Sequence, residues 1–159
     1  MSKKLIIDFE KILDLSHRVD FFDAMTHPQK ITVLRKLQTD LYFYEQNETI
    51  IKEGESDTKL FIILSGKVRI DKGDNDHTAL AILEGGSFFG ETSFSMATKR
   101  ISSVNAYPET IVMVLTRQKF SELEPEIQIL IKDKIIQKLI LKLSQMNDQF
   151  LKLCNVISH

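Results

Sequence analysis

Gly86-Ser87-Phe88-Phe89-Gly90-Glu91 is followed, nine residues after the glutamate, by Arg100 and then by Ile101-Ser102-Ser103-Val104. These residue types can hold a phosphorylated sugar. Glycine lacks a Cβ, so its backbone can approach a ligand closely, and successive N–H groups in a turn form an anion-binding nest. Arg100 adds a planar fork of donors matched to phosphate. Glu91 cannot bind phosphate but accepts hydrogen bonds from sugar hydroxyls. Phosphate at one end and sugar at the other describe a nucleotide site. Other chemistries are poorly served. His17, His27, His77 and His159 are scattered without metal-ligand spacing. No Gly-x-Ser-x-Gly elbow occurs, and the lone Cys154 reads as a small apolar residue near a helix end. No catalytic site, metal or cofactor is expected, and the chain is not read as an enzyme.

The elements around this stretch follow from the hydrophobic period. Residues 8–19 carry Phe9, Ile12, Leu13 and Val19 among charges, which suits a short helix. Asp20 to Met25 forms a turn, and Pro28 opens a second helix that runs to about Gln38. The segment 1–39 is therefore expected to be helical. From Leu41 the pattern turns strand-like: 41–44, 49–52, 59–64, 67–70, 78–83, 103–107 and 110–115, with a hairpin tip at Gly73-Asp74-Asn75-Asp76. Seven or eight short strands predict a sandwich or jelly-roll barrel over 40–115. The stretch 86–103 interrupts it, and Phe89, Phe94 and Met96 can seat a short helix there with Glu91 in its first turn. The fold class is thus α+β: a β jelly roll (double-stranded β-helix) with N-terminal helices and a long C-terminal helix, one domain over 1–159.

Residues 116–159 are expected to form a hinge and a dimerisation helix. Thr116 is a plausible N-cap, and Pro125 starts the long helix. Ile136, Leu139, Leu143, Met146, Phe150, Leu153 and Ile157 follow a 3-4-3-4-3-4 spacing, an a/d seam over about three heptads. So long a terminal seam predicts a homodimer. Ile127, Leu130, Ile131 and Ile135 lie on a different stripe suited to packing on the barrel.

Bulk properties narrow the classes. A formal net charge of −1 argues against a nucleic-acid or membrane surface. One cysteine excludes an intrachain disulfide and fits a reducing cytoplasm. No apolar run approaches the ~18 residues of a membrane span, and Asp8 and Glu10 interrupt any signal-like start.

Phe89-Gly90-Glu91, then Arg100, Ser102, Ser103, Val104 and Ala106, resembles the phosphate-binding cassette of cyclic nucleotide-binding domains. These are the ligand modules of the catabolite activator protein, protein kinase A regulatory subunits and cyclic nucleotide-gated channels. Ile51-Lys52-Glu53-Gly54-Glu55 and Leu60 to Val68 resemble the early barrel strands, and Val19-Asp20-Phe21-Phe22 the N-terminal helical entry. The likeness covers about residues 18–135. It implies that Arg100 pairs with the cyclic phosphate and that Glu91 accepts from the ribose 2′-OH. Backbone N–H groups near Gly90 and after Arg100 complete the cradle, and Ser102 supplies a hydroxyl. The implied contact set is Phe89, Gly90, Glu91, Thr92, Arg100, Ile101 and Ser102.

Two departures qualify the resemblance. Ile101 stands where the family usually has a small residue and where cGMP-selective members commonly have threonine, which leans towards cAMP over cGMP. The run Glu91-Thr92-Ser93-Phe94-Ser95 is more polar than the usual cassette helix. The lid over the base stays open among Ile131, Ile135, Lys134 and Lys138. The resemblance implies a stand-alone regulatory receptor that signals through its C-terminal helix, with an effector protein as a further partner. The alternative is a degenerate, ligand-free fold acting as a dimeric scaffold. With no recognition helix after the long helix and no basic patch, DNA is not an expected partner.

Overall fold

Strand β4 (Leu60–Ser65) carries five consecutive buried residues, because both of its faces are covered. The computed structural model of the chain describes residues 2–72 and 79–158. Two sheets form the body. One has the order β1 (Lys3–Lys4), β2 (Leu41–Tyr44), β9 (Thr110–Leu115), β4 and β7 (Phe88–Phe89). The other has the order β3 (Thr49–Ile51), β8 (Ser103–Ala106), β5 (Lys67–Asp71) and β6 (Ala79–Glu84). The pairings are antiparallel.

The strand period of two divides the apolar residues of β4 and β9 between two cores. Phe61, Ile63, Val112 and Val114 face the other sheet and meet Tyr44, Ile51, Val68, Phe89, Val104 and Ala106. Leu60, Ile62, Leu64, Met113 and Leu115 face outward onto the helices. The register Phe61↔Val114 and Ile62↔Met113 keeps the two sets aligned. This is the jelly roll expected from the sequence, with helices on one flank.

That flank is built from α1 (Phe9–Ser16), a single 3-10 turn (Asp20–Phe22), α2 (His27–Leu37) and the start of the long C-terminal helix. Thr26 caps α2 reciprocally: its hydroxyl accepts from the Gln29 N–H at 3.3 Å, and the Gln29 side chain accepts from the Thr26 N–H at 2.9 Å. Ile12, Val33, Leu34 and Leu37 are fully buried against the sheet. The first forty residues are not all helical, however. Lys3–Lys4 form a short strand on β2, and the Leu5 N–H donates to the Leu41 carbonyl at 2.8 Å. A two-residue pairing carries no readable period, so the sequence hides it.

The cassette differs in one respect from its reading as a loop with a helix. Phe88–Phe89 is a strand, paired Phe61↔Phe89 and Ile62↔Phe88 with β4. The short helix follows as α3 (Glu91–Met96), with Glu91 its first residue. The expected hairpin tip at 73–76, with His77 and Thr78, lies outside the described residues, as does His159.

Thr116 caps α4 (Arg117–Ser121) by accepting from the Lys119 N–H at 3.1 Å. Helix α5 (Pro125–Ile157) has 33 residues, a length of about 50 Å at the usual rise. Its buried stripe is Ile127, Ile131 and Ile135, joined by half-buried Leu130. From there the helix leaves the body. Ile136, Leu143, Met146, Phe150, Leu153 and Ile157 are all more than half exposed, and Leu139 is 37% exposed. No helix among the described residues is long and apolar enough to cross a membrane.

Ile62 joins the sheet to the helical flank and is fully buried. Replacing it with alanine is expected to lower unfolding free energy by about 2–5 kcal/mol, read from the midpoint of a urea titration at unchanged slope.

Candidate functional site: the cassette and its clamp

Arg100 is only 4% exposed, and a buried guanidinium must be met by acceptors. The loop between β3 and β4 supplies most of them. Nη2 donates to Asp57 Oδ2 at 3.0 Å and to the Lys59 carbonyl at 2.6 Å. Nη1 donates to the Gly90 carbonyl at 3.1 Å. The same loop grips the backbone: the Gly54 N–H donates to the Arg100 carbonyl, and the Arg100 N–H donates to the Glu55 carbonyl, both at 2.9 Å. Arg100 Nε remains buried without a partner. An orphaned buried donor costs about 1–3 kcal/mol, so it marks a place where an acceptor is favoured.

Gly90 permits this arrangement. Its φ of +85° is in the left-handed region, and a Cβ there would stand 2.8 Å from Arg100 Nη1 and 2.9 Å from the Lys59 carbonyl oxygen. Glycine is required both for the turn and for the passage of the guanidinium. Phe89, just before it, is buried and stacks on Phe61 with ring centroids 5.1 Å apart and an interplanar angle of 6°. Arg100 lies 5.7 Å from the same Phe61 ring. Two aromatic rings thus seat β7 beside the arginine.

Glu91 is 6% exposed and begins α3. Its partner is Lys138 of α5, with Nζ 3.6 Å from Oε2. Lys138 also donates to the Phe88 carbonyl and lies 4.5 Å from the centre of the Phe88 ring. Burial pushes the Lys138 ammonium below the ordinary lysine range; the Glu91 carboxylate opposes that shift, and the Lys142 charge adds to it. Glu91 and Arg100 each have separate partners, which argues against a simple mutual salt bridge.

The remaining expected residues are unevenly placed. Thr92 and Ser102 are half-buried, whereas Ile101 is 54% exposed beside the cassette. Ser103 serves the clamp: its hydroxyl accepts from the Glu53 N–H at 3.0 Å. Of the histidines, His17 lies 3.4 Å from Lys30 Nζ, and no metal-binding group of side chains occurs among the described residues. Asp57 is not among the residues expected from the sequence, where Glu53 to Asp57 only closes the strand 49–52. The sequence offers no signal that separates Asp57 from the neighbouring Glu53 and Glu55. A cleft of about 490 Å³ opens next to this loop, lined by Tyr42, Tyr44 and three carboxylates, Asp40, Glu55 and Asp57. Three carboxylates make it a poor phosphate site, and it includes neither Glu91 nor Arg100.

A family model described as the cyclic nucleotide-binding domain matches residues 42–124, which include the clamp, the cassette and Arg100. The chain is similar to the cGMP-dependent protein kinase egl-4 of Caenorhabditis briggsae, 26% identical over 127 residues that cover 77% of this chain and 17% of that protein. It is also similar to cyclic nucleotide-gated channel beta-1 of Homo sapiens, 27% identical over 123 residues, 74% of this chain and 10% of that one. It therefore spans less than a fifth of the length of these curated relatives. Among solved structures, a cyclic nucleotide-binding domain from Methylobacillus flagellatus shares the fold with a TM-score of 0.75 at 23% identity, over 90% of this chain and 82% of that one. The Thermus thermophilus catabolite activator protein does so with a TM-score of 0.69 at 23% identity, over 85% and 62%.

Gly90→Ala is expected to lose about 1–3 kcal/mol of stability from backbone strain, with a further loss from displacing Arg100. Chemical denaturation measures the loss, and a stability equal to wild type would show that the guanidinium does not need this passage.

Proposed function

The chain belongs to the cyclic nucleotide-binding domain family, and we propose that it is a regulatory receptor for a cyclic nucleotide, with Arg100 on the phosphate and Glu91 on the ribose. The observation that carries this reading is the buried Arg100 guanidinium, fixed by Asp57, Lys59 and Gly90 yet holding an unpartnered Nε–H. A phosphate oxygen is the natural acceptor, because charge-assisted bonds to a pre-oriented guanidinium are strong. Phe89, Gly90, Thr92, Ile101 and Ser102 frame the same ligand. The chemistry is recognition, without a catalytic step.

The choice of nucleotide rests on Ile101. An exposed aliphatic side chain there offers no hydroxyl to a guanine, which favours cAMP over cGMP. The relatives' names carry both ligands: a cGMP-dependent kinase is among them, and the regulatory domain of Toxoplasma gondii PKA, which shares the fold, is solved with cAMP. Output runs through α5. Its exposed seam suits a homodimer, because about 20 residues of helix beyond the body have little tertiary packing to hold them. Ligand binding that moves the start of α5 would change that seam, or a surface read by an effector protein, provided the two states differ in affinity for the nucleotide. The single cysteine, half-buried on α5, fits a reducing cytoplasm.

A second reading is a dimeric scaffold that has lost its ligand. It is favoured by the internal partners that Glu91 and Arg100 already possess, Lys138 and Asp57. Calorimetric titration of protein unfolded and refolded to strip carried-over ligand separates the two. The receptor reading expects heat with cAMP, weaker binding of cGMP, and a loss of roughly 1.5–3 kcal/mol or more in Arg100→Ala. No heat with either nucleotide overturns it. For the seam, the chain is expected to sediment as a dimer at micromolar concentration and Leu143→Asp as a monomer. A monomeric wild type sinks the dimer.

A further inference from the structure

We propose that Lys138 is an internal competitor for the sugar end of the cassette: its ammonium sits on Glu91, and a nucleotide must displace it to bind. This rests on the receptor reading above and adds a regulatory residue to it. Glu91 can accept a ribose hydroxyl only with a lone pair that faces the ligand. Lys138 Nζ lies 3.6 Å from Glu91 Oε2, donates to the Phe88 carbonyl and sits 4.5 Å above the Phe88 ring. Carboxylate, carbonyl and ring face together satisfy the ammonium within the cassette. Its side chain is only 24% exposed, and that of Glu91 only 7%. The ammonium has therefore given up most of its water, as a ligand would. Burial lowers its pKa, in keeping with that desolvation.

The position of Lys138 on α5 gives the contact a second role. The buried stripe Ile127, Ile131, Ile135 advances by four residues and then ends, since Leu139 is 37% exposed. Lys138 sits at that end, between the first two seam residues, Ile136 and Leu139. Among the described residues, no side chain of α5 after Lys138 makes a hydrogen bond or ion pair with the barrel. Lys138 is thus the last polar tether of α5 before the helix projects. Displacing it frees Glu91 for the sugar and releases the point from which the seam begins. Competition for one carboxylate then couples nucleotide occupancy to the seat of the helix, without any contact between nucleotide and seam.

The test compares wild type, Lys138→Met and Lys138→Gln in two measurements. Methionine keeps the length and apolar stem, and glutamine keeps a neutral donor, so a fold defect in one does not remove the other. In refolded protein titrated with cAMP, Lys138→Met is expected to bind roughly three- to tenfold tighter, the equivalent of one displaced hydrogen-bonded contact, with Lys138→Gln between it and wild type. Amide hydrogen exchange at 134–142 is expected to rise in both variants without nucleotide and, in wild type, on adding cAMP. Binding that is unchanged or weaker in Lys138→Met, with wild type binding normally, overturns the competition alone. Unchanged exchange in the ligand-free variants overturns the tether. No cAMP binding by wild type or either variant overturns the receptor reading, and the competitor role falls with it.

Discussion

Burying one guanidinium is the constraint on which the rest of the site depends. Arg100 brings a guanidinium with five N–H donors into the interior, so the fold must bring acceptors to it. Three come from the backbone and side chain of a loop that lies more than forty residues earlier, Asp57 and Lys59, and from Gly90 ten residues earlier. The loop can reach because Gly54 and Glu55 pair with the Arg100 backbone. Gly90 can reach because it has no Cβ to strike Nη1. Strand β7 holds Gly90 in line by pairing with β4, and the Phe61–Phe89 stack fixes that pairing. Remove the arginine and the loop, the glycine and the short strand lose their common reason for position.

What could be read from the sequence was what is local. Glycine, glutamate and arginine at a nine-residue step lie in one stretch, so their proposed role as a phosphate-and-sugar cradle needs no distant partner to be read. The nearly unbroken apolar runs of β4 and β9 declare strands covered on both faces. The heptad in α5 declares a seam, because its spacing is uninterrupted from Ile136 to Ile157. What stayed hidden depends on distant partners. Asp57 is one acidic residue among Glu53, Glu55 and Asp57, and only the antiparallel return of the chain selects it for Arg100. Lys138 was open as a lid that stacks through its stem. The structure instead gives its ammonium to Glu91 and Phe88. The pairings at Lys3–Lys4 and Phe88–Phe89 are two residues long, too short for any period to reveal.

The cassette and α5 are linked through both kinds of force. Ile127, Ile131 and Ile135 bury the start of the helix in the same core as Leu60, Ile62 and Phe88. Lys138 adds a polar contact at the edge of that core. Apolar packing of this sort is indifferent to ligand, whereas a lysine on Glu91 is not. A module built this way can keep its helix docked in one state and loosen only the last turn before the seam in the other. Such a limited change suits a domain whose β core is close-packed and resists deformation.

The proposed phosphate acceptor for Arg100 would sit on its unpartnered Nε–H. The Nε–H resonance of Arg100, assigned by its disappearance in Arg100→Lys, reports on that atom directly. On adding cAMP to refolded protein, the account predicts a downfield proton shift as the orphaned donor gains a charged acceptor, together with slowed exchange with water. A resonance that stays in place at saturating cAMP, while wild-type calorimetry shows binding, would contradict it and move the phosphate away from Arg100.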